Sequence, residues 1–267
     1  MTIFLVLFLF VMGILLGSFL NVVIQRTVNG EDFVRGRSRC DWCKREIAWY
    51  DNIPLLSYLI LGGKCRYCKQ RIAFQHFAIE VLTGVLFVWW YAVGFAFFRL
   101  SQEPLQIIQP MFWLIVGILL LIIFATDWLY QIIPDYATVG LIILSITYRI
   151  YITLNGAMHP RDFWWTLAAG VLLTLLLYVI WWLTKGRGMG FGDVKFALPM
   201  GWLLGWNREL VALFLAFVIG ALVGVVLIIF NVKKMKSKIA FGPFLILATG
   251  IALLWGHDIW GWYMGLM

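Results

Sequence analysis

The sequence predicts an all-α polytopic membrane protein, with about eight transmembrane helices and one small soluble loop domain. Three observations carry this expectation. Of 267 residues, 63% are hydrophobic and 13% charged, whereas a soluble domain is nearer half apolar and a quarter charged. Long apolar runs succeed one another along the chain, and the basic residues collect in alternate gaps between them. Aromatic residues make up 17%, including 15 Trp, which suits rings anchored at a membrane–water interface. A disordered chain, a secreted disulfide scaffold and an ordinary soluble enzyme are excluded.

A hydrocarbon core of about 30 Å takes about 20 apolar residues as helix. Runs that fit lie at 2–24, 72–98, 106–126, 132–154, 163–184, 194–207, 209–231 and 240–263. The first has no basic n-region and no A-x-A-like site, and it is too long for a signal-peptide core. It is therefore expected to stay as an anchor. The sixth is short and rich in glycine, which suits a tilted or broken helix. The organisation expected is a first transmembrane helix at 1–24, a soluble piece at 25–71 and a seven-helix membrane domain at 72–267. Trp89-Trp90, Trp164-Trp165 and Trp181-Trp182 read as interface anchors near the ends of runs.

Charge orients the chain. The first connection carries Arg26, Arg35, Arg37, Arg39, Lys44, Arg45, Lys64, Arg66, Lys69 and Arg71. The fifth adds Lys185, Arg187 and Lys195, and the seventh Lys233, Lys234, Lys236 and Lys238. The even connections hold only Arg99, Arg161 and Arg208, while Arg149 falls inside the fourth run. This 17-to-3 split puts the odd connections in the cytosol and both termini outside. The net charge of +8 is then a topology label. Membrane lipid is the expected surface partner, and no nucleic acid is expected.

Residues 25–71 contain Cys40-Asp41-Trp42-Cys43, then 21 residues, then Cys65-Arg66-Tyr67-Cys68. Paired C-x-x-C knuckles at this separation suit a tetrahedral zinc ion, because each tight turn supplies two thiolates. So small a loop has little core, and metal binding would supply much of its folding energy. Two disulfides and a redox C-x-x-C are the alternatives. A cytosolic location disfavours the first, and no βαβ pattern surrounds the pairs to support the second. Four thiolates fill the coordination shell, so the expected ion is structural, in a cytosolic four-cysteine domain resembling a zinc ribbon.

Acids are scarce, with eight Asp and five Glu in the whole chain. A carboxylate within or beside an apolar run is costly and is a functional candidate by default. Asp127 ends the third run, Asp135 opens the fourth after Ile133-Pro134, and Asp193 opens the sixth in Gly190-Phe191-Gly192-Asp193-Val194-Lys195. The topology places all three at the cytosolic face. Two carboxylates meeting in a dehydrated cleft do not both ionise easily, so one holds a proton while the other is a base. Such a pair activates water against a peptide carbonyl and donates a hydrogen bond to the carbonyl oxygen. Gly190 and Gly192, lacking Cβ, would let a substrate backbone approach. The plainer alternatives are a helix-end acid facing headgroups for Asp127 and an N-terminal cap for Asp193. His76, His159 and His257 form no H-E-x-x-H, so no catalytic metal is expected.

These motifs resemble the type IV prepilin peptidases, membrane aspartic proteases of the GxGD class, over nearly the whole chain. Gly17-Ser18-Phe19-Leu20-Asn21-Val22-Val23-Ile24 looks like the opening motif, and both cysteine pairs match. Asp51-Asn52-Ile53-Pro54-Leu55-Leu56-Ser57-Tyr58 and Glu80 follow the same pattern. Asp127 to Asp135 resembles the first catalytic-aspartate motif, Gly190 to Lys195 the second, and Ala240-Phe241-Gly242-Pro243-Phe244 the last-helix motif. Departures are Asp41-Trp42 in place of a proline, Gln75-His76-Phe77 in place of Tyr-Pro, and Leu129 where many members carry an acid. The resemblance implies Asp127 and Asp193 as the catalytic pair, with Gly190, Gly192, Lys195, Asp135 and Glu80 as supports. It implies cleavage of basic leaders from type IV prepilins and type II secretion pseudopilins, typically between Gly and Phe. It also implies N-methylation from S-adenosylmethionine, in the bacterial inner membrane. A protease for another membrane substrate, or a transporter or scaffold whose aspartates carry protons or ions, are the alternative readings.

Overall fold

Each of the eight apolar runs holds a helix in the computed structural model, which describes residues 2–31, 36–94, 105–231 and 239–266. The helices are α1 Thr2–Asn29, α2 Leu56–Ile60, α3 Phe74–Trp89, α4 Leu105–Tyr130, α5 Asp135–Leu154, α6 Pro160–Leu183, α7 Phe191–Leu204, α8 Trp206–Ile229 and α9 Gly242–Gly265. A π-helical turn, Trp90–Gly94, continues α3, and a 3-10 turn spans Trp49–Asn52. Among the described residues there is no strand, only two isolated bridges, Arg39 to Glu46 and Lys64 to Arg71. The end of the run at 72–98 lies outside the described residues, as do Arg35, Arg99, Lys233, Lys234, Lys236 and Lys238.

Six of these helices, α1, α4, α5, α6, α8 and α9, are long and apolar enough to cross a membrane. Eight is therefore an approximate span count. Helix α3 has 16 residues before its π turn, and α7 has 14. Fourteen residues rise about 21 Å, short of the hydrocarbon thickness. The outer faces fit lipid: Phe214, Leu222, Val225 and Ile229 of α8 are all exposed, as are Phe4, Phe8, Val11 and Leu15 of α1. Apolar stripes this long have no stable place in water.

The chain forms two compact units, Met1–Ile122 and Ile123–Met267, dividing within α4. In the first, α1 packs along α3. A Cβ on Gly13 would stand 2.7 Å from the Gly84 Cα, so two glycines allow backbone-to-backbone packing of the small-residue kind used between membrane helices. Asn21 Nδ2 donates to the His76 carbonyl at 2.9 Å, tying the end of α1 to the start of α3.

In the second unit, α7 is the packing centre, touching α5, α6, α8 and α9. Its Phe196, Ala197 and Met200 have no exposed surface. The run expected to be tilted or broken is helical to Leu204, with Pro199 inside it, and breaks at Gly205, where the next helix begins. It begins three residues before the apolar run, at Phe191, because the polar first turn is capped from within the protein.

Candidate active site and metal centre

Asp127 lies in the last turn of α4 and Asp193 in the first turn of α7. Both are buried, 6% and 5% exposed, and Asp193 lies within range of the Asp127 charge. Local sequence brings them together. Gln131, at φ 56°, turns the chain out of α4, and its N–H donates to the Asp127 carbonyl at 2.9 Å. Pro134 then starts α5. Ile133 of this turn packs on the start of α7, where a Cβ on Gly192 would stand 3.0 Å from the Ile133 Cβ.

Two helix N-termini serve the acids. Gly190, the extended N-cap of α7, donates its N–H to Asp193 Oδ2 at 3.2 Å. This is one half of a capping box, since glycine has no side chain to return the bond. Helix α9 opens on Gly242, which packs directly against the Asp127 carboxyl. A first-turn N–H has no intrahelical partner and carries the positive end of the helix dipole. Asp127 Oδ2 is itself buried without a hydrogen-bond partner.

The other expected support residues divide between the units. Gly190, Gly192, Lys195 and Asp135 gather around the start of α7, where Lys195 Nζ lies 2.7 Å from Asp135 Oδ1 in an exposed ion pair. Gly190 has an extended backbone open to solvent, while Gly192 is filled by Ile133. Glu80 belongs to the first unit, where its Oε2 accepts the Leu55 N–H at 2.8 Å. In the same loop Asp51 binds Arg66 at 2.6 Å.

Glu80 and Asn21 also line a cavity of about 660 Å³ in the first unit, with Ser18, Gln25, Asp41 and Tyr58. Asn21 is 8% exposed, and its Oδ1 has no hydrogen-bond partner.

The four cysteines form one cluster that could hold a metal ion, each offering a sulfur within 4.8 Å of the others. Among the described residues the four thiols are free of disulfides. Cys40 Sγ and Cys68 Sγ, one from each knuckle, lie 3.8 Å apart, close to the edge of a tetrahedron with metal–sulfur bonds of about 2.3 Å. The knuckles are near-copies. Cys40 N–H donates to Arg45 O and Lys44 N–H to Cys40 O; Cys65 N–H donates to Gln70 O and Lys69 N–H to Cys65 O, all at 2.9–3.0 Å. Lys44 and Lys69 both turn at positive φ. The Cys68 backbone N–H draws the Cys65 thiol down to about 7. Cys68, despite an N–H from Gln70, is held up at about 11 by burial and the neighbouring thiols. One thiolate thus raises the cost of the next, the electrostatic problem that a bound cation removes.

Sequence reasoning missed three residues. Gly242 stands in the sequence only as part of a motif, and nothing local marks it as the neighbour of Asp127. Arg149 and Glu209 carried the available signal, a charge inside an apolar run. Glu209 is 1% exposed in the first turn of α8. Arg149 reaches the end of α7.

The fold is that of a helical multi-pass membrane protein carrying a four-thiol centre in a small loop. Residues 11–93 match the Bacterial Peptidase A24 N-terminal domain and residues 114–225 the Type IV leader peptidase family. A relative from Pseudomonas putida is 30% identical over 96% of this chain and 93% of its own length. One from Aeromonas hydrophila is 31% identical over 96% and 92%, and one from Myxococcus xanthus 34% identical over 83% and 63%. All three are named prepilin leader peptidase/N-methyltransferase. No solved structure matches the chain. The chain belongs to the type IV leader peptidase family, and so to the membrane peptidases.

Proposed function

We propose that this chain removes the basic leader of a type IV prepilin or pseudopilin and then methylates the new N-terminus. The observation that carries the reading is the burial of Asp127 and Asp193 together beside two helix N-termini, in a chain of the leader peptidase family. The ionised carboxyl takes a proton from water as the water oxygen attacks the scissile carbonyl carbon. The protonated carboxyl donates to the carbonyl oxygen, and a proton then passes to the leaving amine as the C–N bond breaks. No covalent intermediate is needed. Gly190, exposed beside Asp193, leaves room for the substrate backbone. Asp135 is held by Lys195 and can exchange that partner for a basic side chain of the leader.

The basic loops favour a cytosolic location for residues 25–71 and outward termini, in a bacterial inner membrane. There the scissile bond of a prepilin, between a basic leader and an apolar helix, sits at headgroup depth. The loop's metal is zinc by its four thiolates and their spacing, and its role is structural.

S-adenosylmethionine supplies the methyl group when bound. The cavity at Asn21 and Glu80 suits it: the volume is in the range of small-ligand sites, Asn21 Oδ1 lacks a donor, and Glu80 offers an anion to a cationic ligand. Glu80 and Asn21 would bind and orient it. The test of the peptidase reading is cleavage of a prepilin by the purified protein, compared with Asp127→Asn and Asp193→Asn. Normal cleavage by either folded variant would sink it.

A further inference from the structure

Helix α7 carries Asp193 at one end and has an unusual problem at the other. Being too short to cross the membrane, it ends within the second unit, and a helix leaves its last four carbonyls without intrahelical donors. In an apolar setting each unpaired carbonyl is costly. The solution comes from α5. Arg149 Nε donates to Trp202 O at 2.8 Å and Nη2 to Leu203 O at 2.7 Å. Its Nη1 lies 3.9 Å from Met158 Sδ. The guanidinium satisfies two carbonyls and complements the negative end of the helix dipole. A planar fork gripping two acceptors also fixes position and angle, which a single point charge does not.

Beyond this grip the chain reverses at once. Gly205, at φ 81°, donates its N–H to Gly201 O at 2.8 Å and leads directly into α8. The start of α7 is tied to α5 as well, through Lys195 and Asp135. That pair is exposed, and exposed ion pairs contribute little. The grip of Arg149 on the carbonyl end is therefore a stronger tie than the Lys195–Asp135 pair.

We propose that Arg149 is a positioning residue for leader cleavage: by gripping the carbonyl end of α7, it sets how far α7 extends along α5. That sets the depth at which Asp193 meets Asp127. Arg149 contacts neither aspartate, since its partners lie at the opposite end of α7. This rests on the reading of Asp127 and Asp193 as the reacting pair. A charged side chain inside an apolar run is expensive to keep, and a role in holding the catalytic helix gives it a reason to be there.

The experiment compares native protein with Arg149→Met and Arg149→Lys, full-length and purified, in a prepilin cleavage assay normalised to folded enzyme. Misplacing a reacting group by about 1 Å can cost about 100-fold in rate. Arg149→Met is expected to lose at least about tenfold in kcat with KM within about twofold. Arg149→Lys, which keeps a charged donor but not the planar fork, is expected to fall between native protein and Arg149→Met. An unchanged kcat in Arg149→Met overturns the proposal, as does a loss that follows only the folded fraction. Should Arg149→Met fail to accumulate, Arg149→Lys and Arg149→Gln decide it. A graded fall in kcat at constant KM supports the clamp, and native kcat in both overturns it. Should native protein itself fail to cleave, the peptidase reading fails. The clamp is then judged by amide hydrogen exchange at residues 198–206, faster in the variants if it exists and unchanged if it does not.

Discussion

Gly242 stands so close to Asp127 that a Cβ added to it would lie 2.6 Å from the carboxyl Oδ2. The contact is with one of the two acids proposed to react, and Gly242 is also the first residue of α9. Its missing side chain lets a helix N-terminus reach a buried carboxyl directly.

Gly242→Ala should therefore act on catalysis before it acts on folding. The added methyl must push Asp127 aside or pull α9 back, and either change separates the carboxyl from the N-terminus of α9. We expect kcat for leader cleavage to fall by about 10- to 100-fold, with the protein still extractable and monodisperse. Steady-state cleavage kinetics check this, and native kcat in the variant would show that the contact is relaxed at little cost.

The two carboxyls are expected to fail alike. Asp127→Asn and Asp193→Asn each preserve shape while removing the ability to take up a proton. General acid–base groups contribute about 100- to 10,000-fold, and residues acting as one unit are not additive. The double variant should thus be little slower than either single one. Single-turnover cleavage of a labelled prepilin measures all three rates, and additive losses would argue for independent roles.

Much of the fold is legible in the sequence because its signals are local and repeated. Apolar runs of helix length predict helices, and the cluster of Cys40, Cys43, Cys65 and Cys68 follows from two knuckles that must share one centre. The start of α7 lies three residues earlier than its apolar run indicates. That first turn holds Gly192 and Asp193, and it is closed by Gly190 N–H donating to Asp193 Oδ2 and Asp193 N–H donating to Gly190 O. What sequence does not supply is contact between distant segments. Arg149 is 53 residues from Trp202, and the approach of Gly242 to Asp127 depends on how α9 packs. Asp51, Asp135 and Glu80 look like free acids in the sequence; each already has an internal partner, in Arg66, Lys195 and the Leu55 N–H.

Methyl transfer should be separable from cleavage. Asn21 and Glu80 line the first unit's cavity, whereas both proposed catalytic aspartates lie in the second unit. Asn21→Ala and Glu80→Gln should raise the methyl-donor concentration needed for half-maximal methylation by about tenfold, the effect of losing one hydrogen bond to a charged or buried polar group. Cleavage should continue at close to its native rate. Labelled methyl transfer to pre-cleaved pilin, measured beside cleavage of intact prepilin, tests both halves of this statement.

Metal removal should affect the loop first. The described part of the loop has few buried apolar side chains besides its cysteines: Trp49, Ile53, Leu56, Leu59, Ile60 and Tyr67 are all exposed. Its order then depends on the bonds around the two knuckles and on whatever ion the four sulfurs hold, since for so small a unit binding energy is folding energy. Purified protein should carry about one zinc ion per chain, measured by atomic emission after a chelator-free preparation. Cys40→Ser or Cys65→Ser should abolish that stoichiometry and expose residues 36–71 to limited proteolysis, while the membrane helices stay intact. If the native protein holds no metal and its loop resists protease as well as before, the cluster is held by hydrogen bonds alone and the ion has no structural part.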